Sequence, residues 1–172
     1  MSDPWSYSFW ITSLTGSFHV IAAVFAIIIA PLIFFRRKGD ARHKFLGRVW
    51  VISMLTVDIG ALLTYELSGR PNLFHFFAVL NLATLIPAWL YIRRYQKTRD
   101  KKYLAQHQDF MAWTYFGLVA AGTWQIVISL ARIGAITLPY KYLYNGLGVI
   151  TAFASAALFL YMRKRLKQFT NS

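Results

Sequence analysis

The sequence predicts an all-α integral membrane protein with five transmembrane helices, its amino terminus outside and its carboxyl terminus in the cytoplasm. Of its 172 residues, 57% are hydrophobic and only 15% are charged, which leaves too little polar surface to enclose a soluble core of this size. Lipid must therefore cover much of the chain. Five long apolar runs, with three clusters of basic residues at their ends, predict the number of helices and their direction.

Each of the five apolar runs approaches the ~20 residues that a helix needs to cross the hydrocarbon core. With N-caps at Asp40 and Asn145, they predict helices at about 9–35, 43–67, 73–92, 104–132 and 146–162. No linker or fixed-period repeat divides the chain, so we expect residues 1–172 to form one transmembrane domain with a four-helix bundle core. The fifth helix offers small residues but no ionisable group, so it would pack at the periphery or against a second copy or a membrane partner.

The distribution of basic residues predicts the orientation. Sixteen of the nineteen Lys and Arg residues lie in three clusters on the side of the carboxyl terminus, and only Arg70, Arg132 and Lys141 lie on the other side. By the positive-inside rule, the clusters are cytoplasmic loops and a cytoplasmic tail in the bacterial inner membrane. Aromatic residues near the ends of the runs, among them Trp50 and Trp89 at the inner boundary, agree with this orientation. Basic residues grouped in this way do not indicate nucleic acid as a partner.

The chain contains no cysteine and four histidines, so any metal must be held by imidazole, carboxylate, methionine, tyrosine or backbone groups. Each of the first four predicted helices carries one histidine. His19 and His75 lie seventeen and eighteen residues before the basic inner ends of their helices, which places both ~25 Å above the inner boundary. His43 and His107 lie at the cytoplasmic edge, ~35 Å below the outer boundary. The histidines therefore form an outer and an inner level.

Matched depth on alternate helices favours bis-histidine ligation of haem b, because alternate helices face each other across a four-helix bundle. The expected pairs are His19 with His75 and His43 with His107, holding one or two haems, which is the arrangement of the transmembrane dihaem b-type cytochromes. The protein would then carry electrons in the membrane, from a quinol or a small anionic donor that the basic clusters attract. The sequence leaves open whether it is a transmembrane oxidoreductase in its own right.

Two other interpretations of the histidines stay open. Asp40, His43, His107 and Asp109 would bind zinc or another divalent ion at the cytoplasmic edge, because imidazole and carboxylate are ligands of such ions. Alternatively, the histidines are structural residues of the membrane interface, and the protein is a non-catalytic membrane subunit or an assembly factor.

Asp58 stands among apolar residues in the second predicted helix. A bare carboxylate in hydrocarbon is costly, so Asp58 must be protonated or paired. It would orient His19 or His75 by a hydrogen bond, pair with Arg132 at the outer end of the fourth helix, or be satisfied by backbone and hydroxyl groups. Arg132 would also pair with the propionates of an outer haem.

Short motifs in the sequence resemble those of a known family. The first segment contains a histidine, an Ala-Pro step, a basic-Gly turn and a second histidine followed by Gly-Arg, at His19, Ala30-Pro31, Arg37-Lys38-Gly39, His43 and Gly47-Arg48. Later motifs contain His75, His107, Met111 and Tyr115. Over about residues 17–133 the chain is similar to a bacterial family of predicted membrane proteins catalogued as a domain of unknown function. The resemblance implies a membrane fold and marks all four histidines as motif positions, but it implies no particular activity.

Overall fold

A computed structural model describes residues 14–63, 73–132 and 160. These residues form four α-helices, which are α1 (Leu14–Phe34), α2 (Ala41–Leu63), α3 (Leu73–Thr98) and α4 (Lys101–Arg132). The all-helical prediction is confirmed for this part of the chain, where no strand occurs. The fifth predicted helix, at 146–162, lies outside the described residues except for residue 160, which is helical. The chain divides into two compact units, residues 1–115 and 116–172, and every contact described below lies within the first.

The loop between α1 and α2 is a short turn that ends in an N-cap. Gly39 has a φ of 88°, a left-handed conformation that glycine adopts without steric cost. Asp40 then accepts a hydrogen bond from the backbone N–H of His43 at 2.6 Å, and its other carboxylate oxygen lies 3.6 Å from Nε of Arg36. The predicted cap at Asp40 is therefore present. It starts α2 at Ala41, two residues before the predicted start.

The connection between α3 and α4 consists of two residues. Arg99 has a positive φ of 59° and donates its backbone N–H to the carbonyl of Tyr95, which closes the last turn of α3. Asp100 then caps α4 by accepting the N–H of Lys102 at 2.9 Å. These caps place the end of α3 at Thr98, beyond the predicted residue 92, and the start of α4 at Lys101, before the predicted residue 104.

Apolar side chains cover most sides of α1, as expected of a helix surrounded by lipid. Ile21, Ile28 and Leu32 of α1 are each at least 60% exposed, a cost in water that lipid removes. Residues Leu14–Phe34, Ala41–Leu63 and His75–Thr98 are long and apolar enough to cross a membrane. The part of the chain that the structure describes therefore supports the predicted membrane protein with three candidate spans.

Two tryptophans occupy different environments. Trp50 is only 1% exposed and donates its indole N–H to the carbonyl of Ala26 at 3.0 Å, so it lies in the α1–α2 contact. Its indole N–H is therefore satisfied by the neighbouring helix, and its place at the inner boundary stays a prediction. Trp89 is 45% exposed, and the guanidinium of Arg93 lies 4.6 Å from its ring centroid. This is the pairing expected of an interfacial tryptophan beside a basic cluster.

Replacing Asp40 by alanine should lower the melting temperature of the purified protein at neutral pH, because α2 loses its N-cap. The hydrogen bond from His43 N–H, together with nearby basic side chains, holds the pKa of Asp40 below its usual value. The contribution of the ionised cap is therefore present at neutral pH and is lost as the pH falls through the acidic range. Thermal unfolding of the native, Asp40→Ala and Asp40→Asn proteins, followed by fluorescence in detergent, measures this. Asp40→Asn is the control, because Asn keeps an acceptor that does not titrate. If the difference in melting temperature between the native and Asp40→Ala proteins stayed constant down to about pH 3, the expectation would be contradicted.

Candidate functional site

His19 lies against α2 where the two helices approach closely. Its Nδ1 lies 2.9 Å from the carbonyl oxygen of Val57. A Cβ placed on Gly60 would lie 3.0 Å from Cβ of His19 and 3.1 Å from its Nδ1. Only glycine at position 60 therefore lets the His19 ring reach the Val57 carbonyl without displacement.

The hydrogen bond to Val57 assigns the tautomer of His19. A carbonyl oxygen is only an acceptor, so Nδ1 must carry the proton and donate. In the neutral ring the lone pair then lies on Nε2. A ring whose Nδ1–H is held by a backbone carbonyl is the usual state of a histidine that binds a metal through Nε2.

His107 has the same arrangement at the inner level. Its Nδ1 lies 2.8 Å from the carbonyl oxygen of Ala88 on α3, so Nδ1–H again donates and the lone pair lies on Nε2. His43 lies on α2, and its Nδ1 is buried without a hydrogen bond in the described part of the chain. The pairing of His43 with His107 stays a prediction.

Asp58 pairs with a residue that was not among its predicted partners. It is 3% exposed, and both of its carboxylate oxygens lie near Nδ2 of Asn81 on α3, at 2.9 and 3.1 Å. Asn81 is 9% exposed, and its Oδ1 accepts no hydrogen bond within the described part of the chain. His19 bonds to the backbone carbonyl of the preceding residue, Val57.

Thr84 on α3, about one turn after Asn81, contacts Thr114 on α4. Thr84 Oγ1 lies 2.7 Å from the carbonyl of Asn81 and 2.9 Å from Thr114 Oγ1, which itself lies 2.9 Å from the carbonyl of Phe110. These three contacts share two hydroxyl protons, so only two of them are hydrogen bonds at any moment. Thr114 is fully buried. The pair therefore supplies a polar contact that fixes the position of α3 against α4.

The remaining predicted site residues have these positions. His75 is half-buried on α3, and its pairing with His19 stays a prediction. Asp40 is engaged by the α2 cap and by Arg36, Asp109 is half-buried on α4, and Arg132 is the last residue of α4. Within the described residues, no three His, Asp or Glu side chains converge as metal ligands require. The divalent-ion set of Asp40, His43, His107 and Asp109 stays a prediction.

Four residues of this site were missed in the sequence. They are Gly60, Asn81, Thr84 and Thr114. Three of them are uncharged polar residues, which a search for ionisable groups in apolar runs passes over. Asn81 and Thr84 stand three residues apart in an otherwise apolar run, so they lie on one face of a helix. That spacing is the signal that would have found them, since polar residues at membrane depth usually face another helix.

Comparison with known proteins gives one match. The chain matches the family described as Predicted membrane protein (DUF2306) over residues 16–162. This range includes the four histidines, Asp58 and Asn81. The resemblance inferred from the motifs is confirmed. No curated protein and no solved structure matches.

Replacing Gly60 by alanine should destabilise the protein by about 1–3 kcal/mol, because the new Cβ overlaps the His19 ring. Gly47→Ala is the matched control, since a Cβ at position 47 of the same helix meets nothing within 4 Å. The control should be neutral or more stable, because alanine favours a helix over glycine by about 1 kcal/mol. Thermal unfolding in the same detergent compares the two variants, and equal shifts in melting temperature would contradict the close contact.

Proposed function

Because this chain belongs to the DUF2306 family of membrane proteins, we propose that it crosses the bacterial inner membrane five times, with a cytoplasmic carboxyl terminus. The three candidate spans in α1, α2 and α3 would be joined by α4 and by residues 146–162. The three basic clusters support this orientation, since all of them then face the cytoplasm. The short connections from α1 to α2 and from α3 to α4, at residues 35–40 and 99–100, would both be cytoplasmic.

Within this topology, the proposed function is electron transfer by haem b held between histidines. The observation that carries it is the orientation of two rings at different depths. His19 and His107 each donate Nδ1–H to a carbonyl of a neighbouring helix, at 2.9 and 2.8 Å, which puts the ring lone pair on Nε2, the atom that would bind haem iron. A histidine that served only to contact water at the membrane interface would not need a backbone carbonyl to hold its ring, yet His19 and His107 both have one.

The inner site has further support from its two helices. His43 on α2 has a buried Nδ1 without a hydrogen bond in the described part of the chain, and His107 on α4 donates Nδ1–H to the carbonyl of Ala88. Two imidazoles on different helices are the usual axial ligands of haem b, whereas a zinc site would need a third and fourth ligand. Asp40, the nearest predicted carboxylate ligand, is engaged by the backbone of His43 and by Arg36. These contacts favour haem over the divalent ion at the inner level.

The outer site is proposed from depth and orientation. His19 and His75 are both half-buried on candidate spans, and Gly60 holds His19 close to α2. Haem supplies reversible one-electron chemistry, and the chain supplies axial ligands, a low-dielectric surrounding and charged partners for the propionates. Arg132, at the end of α4, is the proposed outer propionate partner. A quinol or a small anionic donor would bind near the cytoplasmic basic clusters.

Single cysteines introduced into this cysteine-free chain test the topology. Lys97→Cys should be protected from an impermeant thiol reagent on intact cells and should react after the membrane is opened. Lys141→Cys, the matched lysine replacement on the other side, should react on intact cells. The reverse labelling pattern would overturn the proposed orientation.

Absorption spectra of the protein purified in mild detergent, before and after dithionite, test the haem proposal. The native protein should show a Soret band that shifts on reduction. His43→Ala and His107→Ala should remove one spectral component, and His19→Ala and His75→Ala should remove the other. The double mutant of one pair should be no worse for that component than either single mutant, because both lose the same centre.

Trp50→Phe is the control for that series, because it weakens the α1–α2 contact without removing a histidine. Its spectrum should keep both components. A colourless preparation after expression with added haem would contradict the proposal. A colourless protein with stoichiometric zinc would favour the divalent-ion function instead.

A further inference from the structure

Asp58 and Asn81 form a buried pair whose hydrogen bonds are incomplete if Asp58 is charged. A carboxylate offers about four acceptor positions, and in the described structure it receives one donor, Nδ2 of Asn81. Asn81 Oδ1 is meanwhile buried without a hydrogen bond in the described part of the chain. If Asp58 is charged, its carboxylate therefore has too few hydrogen-bond donors, and the Oδ1 of Asn81 has none. Both groups lie on helices apolar enough to span a membrane.

Protonation of Asp58 removes the negative charge and supplies the hydrogen-bond donor that Asn81 Oδ1 lacks. A protonated Asp58 gains an O–H donor, and the Oδ1 of Asn81 is the unsatisfied acceptor beside it. A turn of the Asn81 amide about its last torsion lets the acid and the amide form a ring of two hydrogen bonds. Acid O–H donates to Oδ1, and amide N–H donates to the acid carbonyl. The amide can turn because its oxygen and nitrogen occupy nearly equal volumes.

We propose that Asp58 and Asn81 are a proton-binding site between α2 and α3. Asp58 takes up and releases the proton, and the Asn81 amide adapts to both charge states by presenting its oxygen to the acid or its nitrogen to the carboxylate. This site is independent of haem. Its ligand is a proton, not a metal ion, because the described contacts give Asp58 a donor and no second anionic group to share a cation.

The titratable groups around the site are few. From α1, the Nδ1 of His19 lies 2.9 Å from the carbonyl oxygen of Val57, the residue before Asp58. On α3, His75 lies six residues before Asn81, and on α2 the nearest charged residue before Asp58 is Arg48, ~15 Å away along the helix. Within the described residues, Asp58 is hydrogen-bonded to Asn81 and forms no ion pair. The carboxyl should therefore titrate as a single site.

A hydrophobic carbodiimide tests the proposal on the full chain in liposomes. The reagent enters the bilayer and reacts with a carboxylic acid, whose oxygen adds to its central carbon while the acid proton moves to a nitrogen. Rearrangement to the stable N-acylurea then raises the mass of the peptide. The chain has only six acidic residues, so peptide mapping assigns the label. Asp100, which is exposed and caps α4, is the internal control for a charged carboxylate in water.

Asp58 should be labelled at neutral and acidic pH, lose labelling as the pH rises, and exceed Asp100 wherever both are accessible. Asn81→Ala should retain Asp58 labelling to higher pH, because the charged carboxylate loses a stronger hydrogen bond than the neutral acid does. Three outcomes would overturn the proposal. They are an unlabelled Asp58 at every pH, labelling that does not fall at alkaline pH, and protection by sodium at fixed pH, which would indicate a metal-cation site.

A second measurement covers the case in which Asn81→Ala does not fold. The infrared spectrum of the native protein should contain a protonated-carboxyl C=O band at neutral pH that disappears at alkaline pH. Asp58→Asn, which keeps the volume of the side chain, should lack that band at every pH. A band that remains in Asp58→Asn would assign the proton to another residue and reject the site. Neither measurement needs haem, so the outcome is separate from that of the electron-transfer proposal.

Discussion

Inside hydrocarbon, every polar group must be satisfied by the protein itself, and the contacts between these helices follow from that constraint. Trp50 and His19 each donate an N–H to a backbone carbonyl on the facing helix, at Ala26 and Val57. The two contacts are seven residues, or about two turns, apart on both helices, and they therefore fix the antiparallel register of α1 and α2. At the other level, the Ala88 carbonyl holds His107 in the same manner. His19 and His107, which are candidate site residues, therefore also help to determine how the helices pack.

The same constraint distinguishes the histidine sites from the Asp58–Asn81 pair. His19 and His107 each donate Nδ1–H to a backbone carbonyl, which puts the ring lone pair on Nε2. Asp58 has instead a side-chain partner, and that partner is unsatisfied unless a proton is present. The histidine sites therefore suit a cofactor that brings its own charge, whereas the Asp58–Asn81 pair suits a ligand that removes charge. His19 and the Asp58–Asn81 pair lie on candidate membrane spans, so lipid raises the cost of leaving either incomplete.

The sequence was informative where its signals are local. Apolar runs predicted the four described helices, and Asp40 was recognised as an N-cap because capping depends on residues within one turn. It was uninformative about which side of each helix faces its neighbour. On α1 nearly every side is apolar, so no periodicity defines its rotation, and the burial of Trp50 and the partner of Asp58 were not predictable. Gly60 matters only because His19 packs against it, a relation between residues forty-one positions apart.

The tautomers of the histidines test the central claim most directly. Selective ¹⁵N labelling of histidine, with each signal assigned by replacing one histidine at a time, distinguishes protonated from unprotonated ring nitrogens by NMR in detergent micelles. His19 and His107 should be Nδ1–H tautomers with an unprotonated Nε2, and added haem should perturb the Nε2 signals most strongly. Nε2–H tautomers at these two residues would contradict the claim, because Nδ1 would then face a carbonyl as a second acceptor and Nε2 would have no lone pair for iron.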